Sequence, residues 1–175
     1  DGSGKTTMLR LLAAQVPLQG GRLSLNGLEP VADPQAWREQ VCLVDTQNPS
    51  IDALLLQDWL ASPSAAGPVR DDGKQHDASV LADLVEALGL RPHLGKSFFM
   101  LSAGTRRKAG LAAAFTFGAA VTLLDQPFAA LDRASIQLLL ELLAEAAAHT
   151  DRAWILADAV APPDLPLAGI IDLDD

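Results

Sequence analysis

Apolar positions along this chain keep two spacings, and the two take turns. "VCLVD" (41–45) and "AAVTLLD" (119–125), the second interrupted by Thr122, are apolar runs that end on a carboxylate, the pattern of buried strands. "GRLSLNG" (21–27) alternates apolar and polar residues between glycines and predicts a half-exposed strand. "AWILAD" (153–158) and "AGIIDL" (168–173) predict two further strands. Between these runs the period lengthens. Met8, Leu11, Leu12 and Val16 fit a helix over 6–16 that Pro17 would stop. Leu81, Leu84, Val85 and Leu88 fit one over 79–89, with Gly89 able to end it. Residues 101–115 read as a loop turning into a helix, and Asp132 can cap another that buries Ile136, Leu139, Leu140 and Leu143. Strands separated by helices predict an α/β fold with a mostly parallel sheet. Residues 52–115 are mainly helical, break the alternation and are expected to form an inserted subdomain, with a Ser-, Pro-, Gly- and Asp-rich loop over 61–78.

Composition narrows the picture. With 175 residues, 49% of them hydrophobic, there is material for one core and a small appended subdomain. A formal net charge of −9 repels phosphate backbones and argues against nucleic acid as a partner. Cys42 has no partner cysteine and sits in an apolar run, so it is expected as a buried small hydrophobe. No stretch has the length to cross a bilayer and no signal peptide is visible, which predicts a soluble protein of a reducing compartment. The chain opens on Asp1 in mid-turn and closes on an apolar run, so it reads as a fragment truncated at its N-terminus. A central strand would precede Asp1, and 1–175 alone is expected to fold poorly.

The candidate chemistry begins in the first seven residues, Asp1, Gly2, Ser3, Gly4, Lys5, Thr6 and Thr7. Gly-Lys-Thr at the mouth of a helix is the second half of a P-loop. Glycines let backbone N–H groups curl around phosphates, and the helix N-terminus adds partial positive charge there. Lys5 can reach the β- and γ-phosphates, and the Thr6 hydroxyl can ligate Mg²⁺. Asp125, at the end of an apolar strand, supplies the complementary carboxylate for Mg²⁺ or its water.

An ordered set of motifs resembles the nucleotide-binding domain of ABC (ATP-binding cassette) transporters over nearly the whole of 1–175, read as one domain. "DGSGKTT" resembles the Walker A loop, and "VDTQNP" (44–49) the Q-loop, with Gln47 as the implied metal and water contact. "LSAGT", Leu101, Ser102, Ala103, Gly104 and Thr105, resembles the signature motif LSGGQ. "VTLLDQPFAALD" resembles Walker B running into the D-loop, which ends at Asp132. Asp125 follows Ser102 by 23 positions, the usual spacing of the family. The resemblance implies ATP and Mg²⁺ as cofactors and head-to-tail packing against a second nucleotide-binding domain, identical or not. Residues 101–105 would face the partner's γ-phosphate. It also implies a transmembrane transporter subunit or domain as partner, bacterial origin, and a cytoplasmic location at the inner face of the plasma membrane.

Two positions depart from the family. Gln126 stands where Glu normally polarises the attacking water. A carboxamide can orient water but cannot take its proton, and losing a positioned base costs roughly 10²–10⁴-fold in rate. Asp158, 32 positions later, stands where the switch histidine is expected. Beside a γ-phosphate its repulsion has an upper scale of about 4 kcal/mol per charge pair. In the signature, Ala103 restricts a backbone position that is otherwise glycine, and Thr105 replaces Gln. Arg106, Arg107 and Lys108 read as a solvated helix face. The expectation is an ATP-binding transporter half with impaired hydrolysis at its own site. The alternatives are an active ATPase in which Asp158 or Asp45 substitutes for Glu, and a non-transport regulatory module.

Overall fold

The computed structural model describes residues 3–62 and 78–173. Its centre is a parallel sheet of β1 (Val41–Leu43), β2 (Val121–Asp125) and β3 (Ala153–Ala157), in that order across the sheet. The register pairs Leu43 with Leu123 and Asp125 with Ala157. The residues that follow each strand, Val44 to Gln47, Gln126 and Asp158, therefore leave the sheet at one end. Carboxyl ends of strands are where open α/β sheets bind ligands.

Both faces of β1 and β2 are covered, which is why they read as apolar runs, whereas β3 leaves Ala153 and Ile155 exposed. On one face α1 (Lys5–Leu12) and α2 (Pro34–Gln40) pack Leu9, Ala13 and Trp37 against Val41, Leu123 and Ala157. On the other, α3 (Leu56–Ala61), α4 (Ala78–Ala87), α5 (Ala103–Thr116) and α6 (Arg133–Ala147) enclose Cys42 and Leu124. Successive residues of β2, Leu123 and Leu124, thus serve opposite cores, as a period of two requires. Within the helical stretch, Leu56, Leu90 and Phe98 are fully buried, and Trp59 meets Phe98 edge-on at 5.0 Å.

The expected helix ends are reproduced where the sequence supplies a cap. Asp132 accepts the Ser135 N–H at 2.9 Å and starts α6, whose buried stripe includes Leu139 and Leu143. Gly89, at φ +66, closes the helix begun at Ala78: Leu90 N–H reaches the Val85 carbonyl at 2.8 Å and Gly89 N–H reaches Glu86 at 3.0 Å.

Three expected elements differ. The helix predicted over 6–16 ends at Leu12, well before Pro17. Ala14, at φ +53, turns the chain while Gln15 N–H reaches the Arg10 carbonyl, and the Trp37 indole N–H satisfies the Leu12 carbonyl at 3.0 Å. Its buried face carries Leu9 and Ala13, and Met8 is 40% exposed. The strand predicted over 21–27 reduces to one bridge between Leu25 and Leu28. Asn26 and Gly27, both at positive φ, make the tight turn between them, and the bridge does not extend into a ladder. Residues 168–173 form no strand and leave Ile170 and Ile171 70% and 84% exposed. Apolar alternation becomes a strand only where a neighbour supplies ladder hydrogen bonds. The predicted 61–78 loop lies outside the described residues but for Ala61, Ser62 and Ala78.

Candidate phosphate and metal site

The site forms where α1 points its N-terminus at the carboxyl end of β2. Gly4 caps α1 at φ +88, a left-handed conformation that side-chain-bearing residues rarely adopt. Its carbonyl accepts the Met8 N–H at 2.8 Å, so the loop passes directly into the first helical turn. The Lys5 ammonium bonds the Ser3 hydroxyl. Thr6, one residue on, donates its hydroxyl to Asp125 Oδ2 at 2.7 Å. Ser3, Gly4, Lys5, Thr6, Thr7, Asp125 and Gln126 together line an open recess of about 200 Å³. Asp1 and Gly2 lie outside the described residues.

A second recess, about 250 Å³, adjoins the first through Thr6, Asp125 and Gln126 and reaches Asp45, Thr46 and Gln47 after β1. The Asp45 carboxylate accepts the Gln47 N–H at 3.0 Å, which folds the segment after β1 back toward the site. The register explains the meeting: Leu43 and Leu123 pair across the sheet, so the segments after β1 and β2 emerge side by side. Gln126 is at φ +45 and donates its N–H to the Ala157 carbonyl at 2.8 Å. Asp158 follows Ala157, yet its carboxylate accepts the Ala159 N–H at 2.7 Å and lines neither recess.

Leu101, Ser102, Ala103, Gly104 and Thr105 are not drawn into either recess. Leu101 is buried, and Ser102 caps α5 by accepting the Thr105 N–H at 3.1 Å, with the two hydroxyls 2.9 Å apart. Gly104 packs against the segment after β2: a Cβ there would lie 2.4 Å from the Ala130 carbonyl oxygen.

The basic run is not a solvated face. Arg106, with a side chain only 13% exposed, bonds Asp52 at 2.6 Å and the Thr46 carbonyl at 3.3 Å, and its guanidinium lies over the Phe98 ring. Arg107 donates to the Ala129 carbonyl at 2.5 Å. Lys108 pairs with Asp132; that ammonium and the Ser135 N–H hold the Asp132 carboxyl well below the usual carboxylate range. Three successive cations diverge around a helix, so each meets a different neighbour. Nothing in the run's composition distinguishes that from solvation.

The sequence reading missed Arg10, Thr46, Arg107 and Gly110 as lining residues. Arg10 had a signal, since it stands four residues after Thr6 and shares its helical face. Gly110 had none. A Cβ there would meet Thr46 Cγ2 at 2.8 Å and Val44 Cγ1 at 3.0 Å, so its smallness is what lets α5 approach the segment after β1.

Comparison with known proteins agrees with this geometry. Residues 1–129 match the family model described as ABC transporter. The chain is 35% identical over 152 residues to the ATP-dependent lipid A-core flippase of Paraburkholderia xenovorans, covering 82% of this chain and 25% of that protein. It is 36% identical over 147 residues to the cytochrome c biogenesis ATP-binding export protein CcmA of Rhodospirillum rubrum, covering 82% of this chain and 59% of that one. It thus spans under two thirds of either relative. A solved ATP-binding subunit of an ABC transporter superposes with a TM-score of 0.74 at 23% identity, over 89% of this chain and 63% of the other, a likeness of fold.

Proposed function

We propose that this chain, which belongs to the ABC transporter family, is an ATP-binding half of a transporter whose own site binds MgATP and hydrolyses it poorly. The single observation that carries the reading is the Thr6 to Asp125 hydrogen bond. A hydroxyl from a phosphate-loop helix and a strand-end carboxylate are the hard oxygen donors that Mg²⁺ takes beside phosphates. The left-handed Gly4 turn fits the same group, because it leaves the recess above the start of α1 free of a side chain.

In this reading the N–H groups of residues 1–7 and the Lys5 ammonium hold the phosphates. Thr6, Asp125 and Gln47 hold the metal, which when bound supplies charge neutralisation at the γ-phosphate. Gln126 orients a water through its carboxamide and leaves the proton where it is. Asp158 turns its charge toward the Ala159 N–H, away from the recess. Leu101 to Thr105 serve a nucleotide held by a second nucleotide-binding domain, and Asp132 belongs to the D-loop between the two. Residues 52–115 act as a helical subdomain. A transmembrane subunit at the inner face of the membrane receives the closure motion; no described helix of this chain is long and apolar enough to cross a bilayer itself.

The test is MgATP binding and turnover on the full-length protein with its membrane partner, with Gln126→Glu alongside. Binding with little turnover, raised by Gln126→Glu toward the roughly 10²–10⁴-fold that a general base contributes, supports the proposal. Brisk turnover in the unmodified protein favours a substitute base. Asp45 is then first in line, because it shares a recess with Gln126.

A further inference from the structure

Among the described residues four non-glycine positions take positive φ, and two of them, Gln126 and Ala130, fall within one five-residue turn after β2. Backbone of that kind persists only where its surroundings over-determine it. One support comes from the sheet, the Gln126 N–H to the Ala157 carbonyl at 2.8 Å. Another is internal, the Ala129 N–H to the Gln126 carbonyl at 3.1 Å. The Leu131 N–H reaches the Phe128 carbonyl at 3.4 Å, and further supports come from α5. Gly104 lets the helix press against the Ala130 carbonyl, and the Lys108 ion pair with Asp132 holds the far end. Arg107 reaches the middle, donating Nη1 to the Ala129 carbonyl at 2.5 Å. Arg107 also lines the recess that Gln126 lines.

We infer that Arg107 is a positioning residue for Gln126: by holding the Ala129 carbonyl it keeps the left-handed turn that aims the carboxamide at the recess. It also ties that turn to α5, whose first residues are Ala103 to Thr105. Displacement of the start of α5 would then be felt at Gln126, and the reverse, since coupling between two sites is reciprocal. The water-orienting role of Gln126 rests on the function proposed above; the holding of the turn does not.

Amide hydrogen exchange at residues 126–131 of the full-length protein tests this, comparing the unmodified chain with Arg107→Met and Arg107→Lys. Methionine keeps the apolar stem and removes the donor, whereas lysine keeps one charged donor. Arg107→Met is expected to speed exchange at Gln126 and Ala129 roughly tenfold, the scale of one lost charge-assisted hydrogen bond, with β2 and α6 unchanged. Arg107→Lys should return the rates to within about threefold of the unmodified chain. Exchange unaltered in Arg107→Met, or accelerated equally in α6, overturns the inference. If Arg107→Met does not fold, Arg107→Gln, which shortens the side chain and removes its charge, must speed the same two amides, and a null result there also overturns the inference. In a Gln126→Glu background, Arg107→Met should lower kcat while leaving KM for MgATP in place; a rise in KM alone would count against positioning. Absence of MgATP binding in the unmodified protein would defeat the proposed function and leave the exchange result standing.

Discussion

Thr6 and Asp125 meet at 2.7 Å, hydroxyl to carboxylate, although 119 positions separate them. The contact joins the first turn of α1 to the end of the central strand. If it marks the metal site, Asp125→Ala should weaken ATP binding in the presence of Mg²⁺ by about 10–100-fold, the usual cost of a lost metal-site partner. Binding measured in EDTA should barely change. Calorimetric titration under both conditions checks this, and equal losses with and without Mg²⁺ would remove Asp125 from the metal site.

Asp158 lines neither recess, and its carboxylate is taken up by the neighbouring Ala159 N–H. Its charge should therefore act on a bound nucleotide as a solvent-screened one, worth up to about 1 kcal/mol. Asp158→Asn is expected to tighten MgATP binding by less than about fivefold, which is that energy expressed as an affinity ratio. A much larger gain would mean that the carboxylate swings into the site when the nucleotide arrives.

Gly110 sits where α5 crosses the segment after β1, and a Cβ would come within 2.8 Å of Thr46 Cγ2. Thr46 and Val44 are β-branched and have little freedom to withdraw. Gly110→Ala should cost about 1–3 kcal/mol through overpacking, lowering Tm by roughly 2–4 °C for each kcal/mol in a chain of this size. Unchanged thermal unfolding would show that the helix can shift outward at no cost.

Cys42 is 3% exposed, and burial pushes its thiol up to about 12, partly opposed by the Arg152 charge. The unfolded thiol ionises near 9.0. Below that value both states hold the proton and stability is unaffected by this group. Above it the unfolded chain loses the proton first, so stability falls with rising pH, by up to about 1.4 kcal/mol per pH unit until the folded thiol also ionises. Urea midpoints of the unmodified chain and Cys42→Ala between pH 8 and 10.5 check the sign: the two curves should converge as pH rises. Rapid alkylation of the native thiol at pH 8 would contradict the burial.

The residues that meet at the recess were legible because each motif is local. A glycine turn, a lysine and a hydroxyl at a helix start follow one another in the chain, and a carboxylate closing an apolar run announces the end of a buried strand. The burial of β1 and β2 was legible in part, since both read as apolar runs. Residues 21–27 and 168–173 misled for a common reason. Alternation describes which side chains could share a face, but a strand also needs a neighbour in register, and among the described residues the first segment makes only the Leu25–Leu28 bridge and the second forms no strand.

Arg106 to Lys108 mark where local reading stops. The chain alone requires that they stand on a helix, that Asp132 cap another, and that Asp125 end a strand. It carries no sign that Arg106 would find Asp52, Arg107 the Ala129 carbonyl and Lys108 the cap itself. Those partners are set by how α5 packs between the segments after β1 and β2. That packing depends on the absent side chains of Gly104 and Gly110, and on a register in which Asp125 pairs with Ala157. Helix caps and short motifs follow from near neighbours in sequence. Which loops a helix holds together is a property of long-range packing, and it exists only once the sheet has closed.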